Sequence, residues 1–139
     1  MSTTFVLKAN VLYLTYFQPL ALLLYLLFPD SLLNHNSERI DVLANVAGVF
    51  DSFSSADTIT DSEWDYVIAV NLTAPIKMMR EVLPFMKAKK NGCIINVSSK
   101  AGVSGAAAGI AYTASKHGLV SISNRLWGNL INLFKYRMK

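Results

Sequence analysis

The chain has 139 residues, of which 53% are hydrophobic and 16% charged, so it can bury a core within one domain and is not a disordered segment. Its net charge of +4 gathers at Lys87, Lys89 and Lys90 and at Lys135, Arg137 and Lys139; short basic clusters at helix ends are solvated faces, and no nucleic-acid partner is expected. The single cysteine, Cys93, excludes an internal disulfide, and His35 and His117 lack Cys or carboxylate partners at ligand spacing, so no metal centre is expected.

In chain order, "VLYLTYFQPLALLLYLLF" (residues 11–28) is uncharged and 18 residues long, the lower edge of a membrane span. Gln18 and Pro19 interrupt it, and neither a basic start nor a small-residue cleavage site marks a signal peptide. Residues 1–35 are expected to form an apolar N-terminal segment, either a helix attached to or spanning a membrane through 11–28, or a segment packed on the domain as a helix or poorly ordered. "PDSLLNHNSER" (29–39) reads as a polar linker. The second unit, 36–139, opens with "IDVLANVAG" (40–48), a buried strand closed by a turn at Gly48. Thr60 and Glu63 have capping-box spacing, so a helix should start near residue 61. Pro75 and Pro84 lie inside its apolar periodicity, and a break is expected near 71–75. The helix should end at "KAKKNG", with Gly92 as its cap. "CIINVSS" (93–99) is a second buried strand with Cys93 as a buried thiol. A small-residue loop follows, then a helix over 111–136 with Leu119, Ile122, Leu126, Leu130 and Leu133 on its apolar stripe. Strands separated by long helices require a parallel sheet, and ligands of open α/β sheets bind beyond the C-terminal strand ends. That geometry puts Asn45, Ser99 and the start of the last helix at one rim.

"AYTASKHG" (111–118) places Tyr112 and Lys116 at i and i+4, on one helix face. A tyrosine hydroxyl ordinarily ionises near pH 10, and an ammonium one turn away favours the phenolate. Such a pair can give a proton to a carbonyl oxygen as hydride arrives, and Ser99 is a candidate second donor to that oxygen. Asn71 falls at the expected helix break. Each feature alone is ordinary: a Tyr-x-x-x-Lys pair is usually structural, a serine after a strand usually caps, and Asn45 and Asn71 would usually serve the backbone.

Together they are specific. "LANVAG", "AVNLTAP", "GCIINVSSKAG" and "YTASK", in this order over residues 40–120, resemble the motifs of the classical short-chain dehydrogenase/reductase family. In that family the serine precedes the tyrosine by 13 positions, which selects Ser99 over Ser98. The resemblance implies a Rossmann-like α/β fold and an NAD- or NADP-dependent oxidoreductase that reduces a small-molecule carbonyl or oxidises an alcohol. It implies a tetrad in which Tyr112 is the acid/base, Lys116 supports it and holds the nicotinamide ribose, Ser99 polarises the carbonyl and Asn71 holds a relay water. Asn45, Ala47 and Gly48 would line the cofactor with Tyr112 and Lys116.

The ends depart from the pattern. Val46 replaces the family's second Asn, and no glycine precedes Gly48, so the phosphate-cradling T-G-x-x-x-G-x-G is absent. After about residue 121 the chain no longer follows the family. These features lead to the expectation of a partial Rossmann-like sheet truncated at both ends, as a shortened or mis-spliced product would be. A rival reading is a non-enzymatic fragment that associates with a full-length reductase. The resemblance further implies homo- or hetero-association through the helices at 61–90 and 111–136. The expected location is the cytoplasm, or a membrane surface through 11–28.

Overall fold

The computed structural model of the protein describes residues 5–8, 11–14 and 40–130. Its strands are β1 (Phe5–Lys8), β2 (Val11–Leu14), β3 (Val42–Asn45) and β4 (Cys93–Asn96), and its helices are α1 (Asp61–Ile68), α2 (Ala74–Lys89) and α3 (Ile110–Leu130). The strands form one sheet in the order β1-β2-β3-β4. β3 and β4 are parallel, with Val42 opposite Cys93 and Asn45 opposite Asn96. The helical connection between them returns the chain to the same sheet end, as parallel pairing demands. The fold is thus the α/β class expected, and Cys93 is half-buried rather than fully buried.

The expected N-terminal helix is not found where the chain is described. Val11–Leu14 is instead β2, antiparallel to β1 and parallel to β3, with Leu14 opposite Asn45. A short apolar run containing Val and Tyr suits a strand as well as a helix, and periodicity does not separate the two. The open edge of β3 supplies the backbone partners that decide for the strand. Residues 15–39, with the rest of the apolar run and the linker, lie outside the described residues. Among the described residues no helix is long and apolar enough to cross a membrane.

Thr60 caps α1, its hydroxyl accepting the Glu63 N–H at 3.2 Å. The expected capping box closes only on this side. The Glu63 carboxylate turns away and accepts from the Ser52 N–H and, at 2.9 Å, from the Ser54 hydroxyl. The bond from the Ser52 backbone, with further bonds from Ser52 and Ser54, holds the Glu63 carboxyl below its usual range.

Between α1 and α2 the helix widens into a π-turn over Ala69–Thr73, where the Ala74 N–H reaches back to the Ala69 carbonyl. This is the expected break. Pro75 follows in the first turn of α2, and the donor it lacks falls where the π-turn has already shifted the hydrogen-bond register. The end of α2 differs from expectation: the left-handed cap is Lys90, at φ 53°, not Gly92. Gly92 is needed for space, since a Cβ there would lie 2.5 Å from the Met86 Sδ.

The core lies between the sheet and α2. Leu43, Val70, Ala74, Met78, Met79, Val82 and Met86 are its buried members, with Ile122 and Leu126 of α3 packed against it. A second cluster, Val67, Ala101, Ala111 and Tyr112, underlies the start of α3. The predicted last turns of that helix, to residue 136, lie outside the described residues.

Candidate active site

The parallel strands β3 and β4 end together, and the rim beyond them collects the polar residues. The Val97 N–H continues the ladder by donating to the Asn45 carbonyl at 2.9 Å. The Asn45 Nδ2 donates across the strands to the Asn96 Oδ1 at 2.7 Å, and the Asn96 Nδ2 donates to the Ser123 hydroxyl at 2.9 Å. This ladder ties both strands to α3. The sequence signal for it was the polar Asn96 inside an otherwise apolar run. The Asn45 Oδ1 is buried with no hydrogen-bond donor. An acceptor left so costs free energy until a donor arrives. Ala47 packs its methyl into the core, so only its backbone is left to face a ligand.

Asn71 sits in the π-turn and is fully buried. Its Oδ1 accepts the Val49 N–H at 2.8 Å, and its Nδ2 donates to the Val49 carbonyl at 2.9 Å and to the Ser115 hydroxyl at 3.1 Å. Ser115 in turn donates to the Tyr112 carbonyl at 2.7 Å. Asn71 therefore pins the strand-end loop to α3, with both amide hydrogens engaged. The side chain has no donor left, and its Oδ1 keeps one lone pair beyond the bond from the Val49 N–H.

Tyr112 and Lys116 share one face of α3, as the spacing requires. Tyr112 is only 7% exposed, and the Phe50 ring stacks on its ring, with centroids 4.4 Å apart and planes 11° from parallel. The Lys116 ammonium lies 5.6 Å from the centre of the Tyr112 ring, in range of a cation–π contact. Its Nζ donates to the Val97 carbonyl at 3.1 Å. Burial pushes the Lys116 pKa down. Gly48 keeps the space in front of this ammonium open. A Cβ there would lie 3.3 Å from the Lys116 Nζ and 3.5 Å from the Asn71 Oδ1. An ammonium with one carbonyl partner has further N–H groups to give. Hydroxyls of a ribose suit that donor set, and Gly48, Asn71, Tyr112 and Lys116 are brought together around it.

The two serines after β4 divide. The Ser98 hydroxyl points to the Lys116 carbonyl at 3.4 Å, under Gly102, where a Cβ would meet it at 2.4 Å. Ser99 caps the 3-10 turn Lys100–Gly102, accepting the Ala101 N–H at 3.2 Å. That bond uses an oxygen lone pair and leaves the Ser99 hydrogen free to donate.

The residue that sequence reasoning missed is Asp51, buried in the loop between β3 and α1. Its Oδ2 accepts the Tyr112 N–H at 2.9 Å, and its Oδ1 accepts the Gly109 N–H at 3.2 Å and the Phe53 N–H at 3.3 Å. The Ile110 N–H goes to the Ser54 carbonyl at 3.0 Å. Loop 51–54 thus satisfies the donors at the start of α3, which helix geometry leaves without partners. The 58 and 61 positions that separate Asp51 from Gly109 and Tyr112 make this cap invisible to local pattern reading. Among the described residues no group of three or more His, Cys, Asp or Glu side chains is placed to hold a metal ion.

The chain is similar to known proteins. A short-chain dehydrogenase from Penicillium canescens, described as a short-chain dehydrogenase/reductase, is 65% identical over 88 residues, 63% of this chain and 34% of that protein. An asnovolin H dehydrogenase from Aspergillus novofumigatus is 56% identical over 88 residues, with the same coverage of 63% and 34%. This chain therefore spans about a third of the length of the curated relatives it matches. Among solved structures, a metagenomic short-chain oxidoreductase in complex with NADP superposes with a TM-score of 0.69 at 40% identity, covering 84% of this chain and 50% of that one. The fold is accordingly of the Rossmann type. A family model for the short chain dehydrogenases matches residues 32–131, most of the chain, and the protein belongs to that family.

Proposed function

We propose that this chain carries the reacting end of an NAD(P)-dependent oxidoreductase that interconverts a carbonyl and a secondary alcohol. The observation that carries the reading is the juxtaposition of Tyr112, Lys116 and Asn71 around the opening at Gly48. The nicotinamide cofactor, when bound, supplies or takes the hydride at the substrate carbon. In reduction, Tyr112 gives its phenolic proton to the substrate oxygen, and Ser99 donates a second hydrogen bond to that oxygen. Lys116 offers N–H groups to the ribose hydroxyls and its charge to the tyrosine oxygen. Asn71 holds the strand-end loop in place, and the buried Asn45 Oδ1 offers an acceptor at the same rim.

The fit is to the nicotinamide–ribose end. No glycine precedes Gly48, so this sequence has no glycine-rich cradle for the pyrophosphate. That a relative's structure contains NADP supports the choice of cofactor class without deciding between NAD and NADP. The substrate class is no narrower than a small-molecule carbonyl or alcohol.

The test is turnover of a general carbonyl substrate with NADPH or NADH by the chain and by Tyr112→Phe. The phenylalanine keeps the ring and its stack on Phe50 but has no proton to give. Turnover should fall by at least about a hundredfold, the range of a lost acid/base group. Equal turnover by the two proteins would overturn the mechanism.

A further inference from the structure

We infer that Asp51 is a positioning residue for Tyr112, and that the Phe50–Asp51 pair fixes the tyrosine by both its ring and its backbone. The inference rests on the reading of Tyr112 as the proton donor for its functional meaning, but not for its structural content. Two independent contacts carry it. Phe50 stacks face to face on the Tyr112 ring. The next residue, Asp51, accepts the Tyr112 N–H through Oδ2 and the Gly109 N–H through Oδ1. Adjacent residues of one loop therefore hold the ring and the backbone N–H of a single residue.

The surroundings are built for this. Gly109 packs so closely on Asp51 that a Cβ there would lie 2.5 Å from each carboxylate oxygen. Phe53, with φ 58°, takes up a left-handed conformation that a bulky residue seldom adopts. That bend turns the Phe53 N–H back onto the Asp51 Oδ1. The loop is anchored at its far side by the Glu63 carboxylate, which accepts from Ser52 and Ser54. A carboxylate also matches the positive end of the α3 dipole, so charge and geometry favour the same place. Phe50 itself is 67% exposed, so burial alone does not hold its ring. The bonds that the Asp51 carboxylate accepts from the Gly109 and Tyr112 N–H groups supply that constraint.

A cap with no further role would stabilise α3 without steering the Tyr112 ring, and the two roles separate by experiment. The full chain is compared with Asp51→Ala and with Asp51→Asn, which keeps the shape and one acceptor oxygen. The primary readout is nuclear Overhauser contact and ring-current shift between Phe50 and Tyr112, together with amide hydrogen exchange at Gly109 and Tyr112. These need no turnover, so an inactive wild-type chain would count against the proposed function and leave this test intact. In Asp51→Ala the ring contact should be lost and both amides should exchange at least about tenfold faster, the loss of a cap being worth that order. Asp51→Asn should recover most of the ring contact. Where turnover is measurable, Asp51→Ala should lower kcat by roughly 10- to 100-fold, as misplacement of a reacting group does, with little change in the KM for cofactor. A retained Phe50–Tyr112 contact in Asp51→Ala would overturn the inference and leave Asp51 a cap alone. If Asp51→Ala does not fold, Asp51→Asn decides by the ring contact: a Phe50–Tyr112 contact measurably weaker than in wild type supports the inference, and a contact equal to wild type overturns it.

Discussion

Lys116 concentrates the tension of the site. It is 3% exposed, has the Val97 carbonyl as a hydrogen-bond partner, and burial pushes its pKa down from the ordinary 10.5. The folded chain therefore gives up this proton at lower pH than the unfolded chain does. Between the lowered value and 10.5 the unfolded state binds more protons, so stability rises with pH across that window. Below the window the full cost of burying the charge is present. Lys116→Met keeps the volume and removes the charge. Urea unfolding should find the variant's advantage over wild type largest below the window and shrinking as pH climbs through it. An advantage that does not change with pH would show that burial of the ammonium is not what Lys116 costs the fold. Tyr112 and Lys116 were legible because their chemistry depends on a four-residue spacing. Asp51 was not, because its partners Gly109 and Tyr112 lie 58 and 61 positions away.

At the scale of elements, the π-turn between α1 and α2 is the piece that joins sheet to helix. It aims Asn71 at Val49 and Ser115, so that one side chain closes the strand-end loop onto α3. Asn71→Ala would leave the Val49 N–H and carbonyl without these partners. The expected cost is about 1–3 kcal/mol for the polar groups left unmet, read from chemical denaturation. Stability within experimental error of wild type would mean that water or the loop itself replaces the amide. The break, the start of α1 at Thr60 and the parallel pair β3–β4 were all readable, because each has a local signature: a proline, a capping pair, a β-branched apolar run. β2 was not. Its residues Val11–Leu14 are apolar either way, and what makes them a strand is the distant edge of β3. The cap at Lys90 was likewise missed because Gly92 is the better left-handed residue, yet the Met86 side chain claims the glycine for space.

Across the whole molecule, the described sheet ends at β4, whose only described strand neighbour is β3. Ile95 and Val97 on and beside this strand are 44% and 42% exposed, and Val46 beyond β3 is also exposed. Exposed apolar groups beside a strand edge favour association. Sedimentation velocity should therefore find the chain above monomer mass at micromolar concentration, and Ile95→Lys should shift it toward monomer; an unchanged distribution would exclude this surface. The association expected of the family, through its long helices, predicts no response to Ile95→Lys. The most direct measurement of the central claim, that this chain presents a site for the nicotinamide–ribose end of the cofactor, is a calorimetric titration of the chain with NADPH and NADH, repeated with Lys116→Met. Saturable binding that weakens in the variant is the predicted result. No heat at millimolar cofactor, or equal binding by both proteins, would contradict it.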